Sequence, residues 1–211
     1  MSTAMRVTRA TLWTALVALL LGAIVAVIVL IAFRNARAMP IVRTASVGMS
    51  ALAAGSTPVQ VALLSDIHLG NSSMRGSRLQ RIVDQVNSQH PDLVLLAGDF
   101  VEGHGASATM QASGLTVPLA SLHAPLGVVA VLGNHDQWTA PGDIRTALRH
   151  AGIIVLENQA ITRGALTIVG IGDRFSGHDN LAAAAAAAHS LGGAQIVLTH
   201  SPDLVPDLPQ G

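Results

Sequence analysis

Residues 59–71 read VQVALLSDIHLGN. An apolar, strand-forming run stops abruptly at Ser65-Asp66-Ile67-His68, and the same pattern then recurs. Residues 91–100 read PDLVLLAGDF, residues 127–136 read GVVAVLGNHD, and residues 195–200 read QIVLTH. Short apolar runs bounded by turn residues are the mark of strands buried on both faces. Between them lie helical patterns. Gly76–Gln89 puts Leu79, Ile82, Val83 and Val86 at helical spacing, and Gly142–Ala151 reads as a helix. Asn180–Leu191, with seven consecutive Ala, is helical by propensity. Further strands are predicted at Ile153–Leu156 and Leu166–Ile171. This alternation predicts an α/β fold with a mostly parallel sheet flanked by helices.

The polar residues cluster at strand ends. The first strand delivers Asp66 and His68, the second Gly98-Asp99, and the third Gly133-Asn134-His135-Asp136. The strand before His200 delivers a fourth. In open α/β sheets ligands bind beyond the carboxyl ends of the strands, so these tips are expected to meet at one rim. Carboxylate, imidazole and amide oxygen form a borderline-to-hard donor set that suits Mn, Fe or Zn ions. A carboxylate such as Asp99 has two oxygens and can bridge two cations. Gly98 and Gly133 let the backbone turn tightly beside the site. Each fragment alone is weak, because an isolated Asp-x-His or Gly-Asp usually belongs to a turn; the ordered set is specific.

Composition sets further bounds. The chain has 211 residues and no Cys, which excludes disulfides and thiolate metal sites. Residues 1–45 hold five Arg and no acid, leaving seven Arg against all twelve acids in the remainder. A mildly acidic folded part lacks the basic stripe of a nucleic-acid binder, so no nucleic-acid partner is expected. Thr11–Phe33 is uncharged throughout. As a helix it would extend roughly 34 Å, enough for a bilayer core of about 30 Å. A cleaved signal peptide is the rival reading, and Ala36-Arg37-Ala38 has the required small-x-small form. The apolar stretch, however, exceeds the roughly 7–15 residues of a signal core, which favours a single-pass anchor. Arg6 and Arg9 balance Arg34, Arg37 and Arg43, so sidedness stays open. The expected organisation is a tail at 1–10, a transmembrane anchor at 11–33, a linker at 34–58 and a catalytic domain at 59–211.

The ordered motifs Asp66-Ile67-His68, Gly98-Asp99, Gly133-Asn134-His135-Asp136 and His200 resemble those of the calcineurin-like metallophosphoesterases. With the anchor, the surrounding phrases look like the small bacterial branch containing the YkuE- and YaeI-type phosphodiesterases. The resemblance implies a sandwich of two mixed β-sheets flanked by helices. It implies two divalent metal ions: Asp66 and His68 on the first, Asp99 bridging, Asn134 and His200 on the second. His135 would face the phosphate as acid or charge stabiliser, with Asn134 also at the substrate. The implied chemistry is hydrolysis of a phosphodiester or pyrophosphate by a metal-activated hydroxide. Some members of that branch cleave the pyrophosphate of UDP-2,3-diacylglucosamine in lipid A biosynthesis. A lipid-linked substrate at the bacterial inner membrane is therefore the expected setting.

Two departures stand out. The family's final G-H-x-H does not occur before Gly211, so the domain is expected to be C-terminally incomplete, with one His ligand missing from each metal and little activity. The protein-phosphatase pattern G-D-x-V-D-R-G is also absent: here it reads Gly98-Asp99-Phe100-Val101-Glu102-Gly103. Glu102 stands where that branch uses Asp, which makes it a candidate for steering His135.

Other residues have plainer expectations. His90, His123, His150, His178 and His189 are expected to be exposed, while His104 falls in a probable site loop. Arg75, Arg78 and Arg81 share a helix face that is either solvated or phosphate-binding. Asp173 and Asp179 are read as turn residues, and Trp138 as lining a lipid or base pocket or simply packing. The competing function is a catalytically dead, membrane-tethered binding or structural protein. The six intact polar residues of the motifs argue against it.

Overall fold

The computed structural model describes residues 8–52, 55–103 and 106–208. Two compact units divide at Ile41/Val42. The first is one helix, α1 (Arg9–Ala36), long and apolar enough to cross a membrane. It extends the expected span at both ends. Thr8 caps it, its hydroxyl accepting the Thr11 N–H at 3.4 Å, and Arg34 in the last turn suits the negative end of the helix dipole. Leu16, Leu20, Val27 and Ile31 are exposed apolar side chains, as an element that meets lipid requires.

The second unit contains two sheets. The first comprises β1 (Val61–Leu64), β2 (Leu93–Ala97), β3 (Val128–Val131) and β4 (Ile154–Val155), adjacent in sequence order and all parallel. The second comprises β5 (Gln159–Arg163), β6 (Leu166–Gly170) and β7 (Ala194–Leu198), with β5–β6 antiparallel and β6–β7 parallel. The two-sheet α/β architecture is as expected, except that only the second sheet is mixed. Parallel pairing forces a crossover between successive strands. Here α2 (Gly76–Asn87), α3 (Ala106–Ala120), and α4 (Asn134–Thr139) with α5 (Pro141–His150) supply them.

Alternation along β2 explains the layering. Val94 and Leu96 face Leu79 and Val83 of α2, Leu115 and Leu119 of α3, and Ile144 and Leu148 of α5. Leu93, Leu95 and Ala97 face the second sheet, where they join Leu166, Ile168, Ala194 and Leu198. A strand without a polar side chain fits between two apolar layers and nowhere else. On the far side of the second sheet, α6 (Leu181–His189) packs Ala184 and Ala188 against Val169 and Ile171. The Ala run is thus a small-residue helix lying close on a sheet. Met49 and Leu52 pack against the inter-sheet core, so the segment read as a linker belongs in part to the folded unit.

Most expected elements occur within two residues of their predicted ends. The exceptions are α1, which runs three residues past Phe33, and α3, β5 and α4, which the sequence pattern does not predict. In α3 the buried positions Ala108, Ala112, Leu115 and Leu119 keep helical spacing, but small residues and an internal Pro118 dilute the signal.

Leu96 is 1% exposed and Leu63 is 65% exposed, although both are strand leucines. Leu96→Ala is expected to cost about 2–5 kcal/mol through lost burial and a residual cavity. Leu63→Ala should cost under about 0.5 kcal/mol. Urea-unfolding midpoints of the two variants in detergent will separate them; equal shifts would contradict the layering.

Candidate metal centre

The strand tips converge because their backbones pair beyond the sheet. Asp66 N–H donates to the Gly98 carbonyl at 3.1 Å, His68 N–H to that of Asp99 at 2.9 Å, and Leu69 N–H to that of Phe100 at 2.8 Å. This ladder sets Asp66 and His68 beside Asp99. Asp66, His68 and Asp99 all adopt left-handed backbone, with φ of 56°, 45° and 57°. Such φ values are uncommon outside Gly and cost free energy, tolerated here where the bend aims side chains over the rim.

The β2 and β3 tips meet more closely still. Gly98 has φ 87°, and a Cβ there would stand 2.4 Å from the Gly133 nitrogen. A Cβ on Gly133 would stand 2.7 Å from the Asp99 nitrogen. Gly98 is therefore needed both to turn and to admit a neighbour, and Gly133 for the neighbour alone.

Asp136 joins these tips. It is fully buried, and its carboxylate accepts the N–H groups of Gly133 (2.9 Å), Asp99 (2.9 Å) and Phe100 (2.8 Å). Burial, helped by the charge of Asp99, raises its pKa to about 6 against the pull of those donors. The sequence motif contains Asp136, but nothing in the residue string reveals that its role is to bind backbone. Asp136 also sits in the first turn of α4, where it takes up the amide at the helix start. The next free amide, that of His135, donates to Asp99 Oδ1 at 3.0 Å.

With Oδ1 so engaged, Asp99 Oδ2 points into the rim. It lies 3.4 Å from His68 Nε2 and 3.4 Å from His200 Nε2. His68 Nε2 is also 3.7 Å from Asp66 Oδ1, and Ser65 Oγ donates to Asp66 Oδ2 at 2.5 Å. His200 is oriented from behind by the Ala97 carbonyl, 2.7 Å from Nδ1, which turns Nε2 toward Asn134 Oδ1 at 3.1 Å. Ligand atoms of Asp66, Asp99 and His200 lie within 4.8 Å of one another. Asp99 lies at the centre of these contacts, with Asp66 and His68 near one another, Asn134 on His200, and the Asp66 carboxylate also within reach of His200. Anionic carboxylate, amide oxygen and imidazole nitrogens converging on a common point are a donor set that fits divalent ions.

These groups also perturb one another's titration. The bond to Asp99, helped by the Ala97 carbonyl, raises the pKa of His200 to about 9, against partial desolvation. Burial pushes Asp99 up, but His200, the His135 amide and His68 outweigh it and hold its carboxyl below the ordinary 3.8.

The sequence-predicted residues Asp66, His68, Asp99, Asn134, His135 and His200 are all brought to this rim. The His135 ring stands 5.0 Å from that of His68, edge to face, and its buried Nδ1 has no hydrogen-bond partner among the described residues. Glu102 departs from expectation. Its Oε2 lies 2.9 Å from His68 Nδ1, an ion-pair contact off the ideal hydrogen-bond line, and so it meets His68 instead of His135. The chain after Val101 continues alongside Leu69, and this carries residue 102 to the β1 tip.

His104 lies outside the described residues. His90, His123, His150, His178 and His189 are exposed, as expected. Arg75 and Arg81 are exposed, whereas Arg78 folds back to donate to the Ser73 carbonyl at 2.7 Å. Asp173 is a turn residue, fully buried. It accepts the Ser176 N–H at 2.7 Å and the Ser201 hydroxyl, and so fastens the β6–α6 loop to the residue after His200.

The family described as calcineurin-like phosphoesterase matches residues 59–203, and the chain belongs to that family. A zebrafish (Danio rerio) protein described as a transmembrane protein with metallophosphoesterase domain is 32% identical over 199 residues, covering 88% of this chain and 44% of the relative. An uncharacterized metallophosphoesterase of Aquifex aeolicus is 33% identical over 118 residues, covering 56% of this chain and 43% of the relative. A UDP-2,3-diacylglucosamine pyrophosphatase, LpxG, of Chlamydia muridarum is 39% identical over 82 residues, covering 38% and 23%. The chain spans less than half the length of each of these relatives.

Two outcomes follow from this geometry. Asp136→Ala strands three buried amides, each worth about 1–3 kcal/mol when unsatisfied. The urea midpoint should fall by the equivalent of about 3 kcal/mol or more, while Asp136→Asn, which keeps one acceptor oxygen, should lose clearly less. The second concerns pH. His200 in the metal-free fold has a pKa of about 9, above the ordinary 6.5. Its pairing with Asp99 thus stabilises fully below pH 6.5 and is lost as pH rises through 9. The unfolding midpoint of EDTA-treated protein should drop across that window. Mn²⁺ affinity should rise with pH over the same range, by up to about tenfold per unit, as the ion displaces the proton. Affinity independent of pH would show that His200 is not a ligand.

Proposed function

We propose that the chain is a membrane-anchored, metal-dependent phosphoric ester hydrolase acting on phosphodiester or pyrophosphate bonds. The observation that carries this reading is the position of Asp99 Oδ2, 3.4 Å from two imidazole nitrogens that arrive on different strands. Asp66, His68 and Asp99 would hold one ion, and Asp99, Asn134 and His200 the other. Mn, Fe and Zn all suit these donors. When bound, such ions neutralise phosphoryl charge and make water acidic enough to act as a nucleophile near neutral pH.

The protein's own groups divide the remaining work. The His135 amide fixes Asp99, leaving the other carboxylate oxygen free. The Ala97 carbonyl sets the tautomer and direction of His200, the partner arrangement that metal-ligating imidazoles generally need. Glu102 meets His68 Nδ1 only as a charge contact, at 2.9 Å. His135, its backbone held at α4 and its ring beside His68, is placed to donate a proton to a departing oxygen or to stabilise charge on the phosphoryl group. Asn134, which meets His200 at 3.1 Å, would also contact the substrate.

The finer reading is a lipid-linked pyrophosphate such as UDP-2,3-diacylglucosamine, cleaved in lipid A biosynthesis at the bacterial inner membrane. It is supported by the apolar helix α1 and by similarity to a relative named for that activity.

Detergent-solubilised protein in excess Mn²⁺ is expected to show at least weak hydrolysis of bis-p-nitrophenyl phosphate and to lose that activity in EDTA. Asp99→Ala should lower kcat/KM by about 1000-fold or more, since it removes a donor from both groups. His135→Ala should lower kcat by about 100-fold with metal content unchanged, the usual size of a general acid–base contribution. A metal-replete Asp99→Ala protein with wild-type turnover would refute the two-ion reading. Preference for UDP-2,3-diacylglucosamine over the aryl diester tests the finer one.

A further inference from the structure

Beyond the polar rim, the folded unit exposes two aromatic side chains in contact with each other. Trp138 is 54% exposed and Phe175 is 76% exposed, with ring centroids 5.4 Å apart and planes tilted by 60°. Their position relative to the rim is not arbitrary. His68, His135, Trp138 and Phe175 form a continuous row of rings, with centroid separations of 5.0, 5.8 and 5.4 Å. Trp138 follows Asn134 and His135 by four and three residues on α4, the spacing that puts side chains on one helix face.

The backbone that carries each aromatic is tied down. Trp138 rides on the helix that Asp136 clamps to the β2 tip. Phe175 sits in a turn closed by Asp173, whose backbone and side chain accept the amides of His178 (2.8 Å) and Ser176 (2.7 Å). Arg174 ties that turn to Asp179 at 3.1 Å and Asp207 at 2.6 Å. Ser201, adjacent to His200, donates to Asp173. Elements that aim the polar donors therefore also fix the aromatic pair. Exposing two large rings on a well-fastened surface leaves apolar area in water, which calls for a ligand.

We propose that Trp138 and Phe175 form a stacking subsite for a planar aromatic group carried by the phosphoryl substrate, of nucleobase or aryl size. This rests on the phosphoryl reading of the neighbouring rim, because the row of rings leads outward from it. The surface suits a flat ring better than an acyl chain. The surrounding groups are polar and engaged with one another, as Arg174 is with its two acids and Gln137 with Glu157 at 3.4 Å. Among the described residues, no other large exposed apolar side chain occurs on α4 or in residues 171–180 to extend the patch. Two rings accept one ring, with π-faces tolerant of its identity.

The test compares phenylphosphonate with methylphosphonate, which share the anionic head and differ in the ring. Trp13 and Trp138 are the chain's two tryptophans, so a Trp13→Phe background makes emission report on Trp138 alone. In Mn²⁺ buffer with detergent, phenylphosphonate should change Trp138 emission saturably and bind about tenfold more tightly than methylphosphonate, equivalent to about 1.4 kcal/mol. Phe175→Ala and Phe175→Leu should both cut that preference to about twofold or less, because bulk without a ring does not restore stacking. Equal affinity for the two phosphonates overturns the subsite. So does no saturable response to phenylphosphonate, or a preference retained in both Phe175 variants. Saturable, ring-dependent binding without any hydrolysis of bis-p-nitrophenyl phosphate would instead keep the subsite and sink the hydrolase reading.

Discussion

One buried carboxylate holds the rim together. Asp136 is fully buried and binds three backbone amides from two loops, whose other side-chain tie is the bond from the His135 amide to Asp99. Those amides cannot pair within their strands, since the sheet has already ended. Without the carboxylate they would be buried donors with no acceptor, and the loops would separate until water reached them. The spacing between the β2 and β3 tips is thus set by the width of one carboxylate, not by packing. Gly98 and Gly133 are the complement of that constraint, because any Cβ at either position would occupy the space the tips share.

From this clamp the geometry propagates outward. Asp99 is fixed at both ends, its N–H held by Asp136 and its Oδ1 by the His135 amide, and only Oδ2 remains to act. His135 is fixed by the same helix turn that Asp136 begins. Asp66 and His68 are set by backbone pairing to Gly98 and Asp99, at the cost of left-handed φ angles that an unconstrained loop would avoid. His200, from the second sheet, reaches the group through the Ala97 carbonyl. A side chain on one sheet is therefore oriented by the backbone of the other, and sheet packing, driven by Leu95, Val129 and Ile168, becomes a condition for site geometry.

The sequence carries the strands well because strands buried on both faces have no polar residue to blur them, as LVLLA and VVAV illustrate. It carries the rim residues because functional side chains interrupt those runs at their ends. It does not carry α3, whose inward face is half alanine, or β5, an edge strand with an ordinary mixed surface. Glu102 shows a different failing. Its position in a family pattern suggested His135 as its partner, but a contact made through side-chain reach depends on where the loop after Val101 runs, and that path is set by pairing with Leu69. Asp136 is a similar case: the motif contains it, but its bonds to three amides depend on where two loops meet. The exposed pairing of Trp138 with Phe175 joins residues 37 positions apart, and no local pattern links them.

The electrostatics of the rim explain why such a cluster folds at all. Two carboxylates with ligand atoms within 4.8 Å repel; at that range a pair of like charges costs about 3–4 kcal/mol in a partly solvated environment. Imidazoles offset this, and the bond to Asp99 raises the pKa of His200, which favours a positive charge beside the carboxylates. A proton on His200 and a divalent ion would compete for the same electrostatic deficit. An ion would not have to create the geometry, since backbone pairing and the Asp136 clamp do so; it would replace a proton in a cage built in advance.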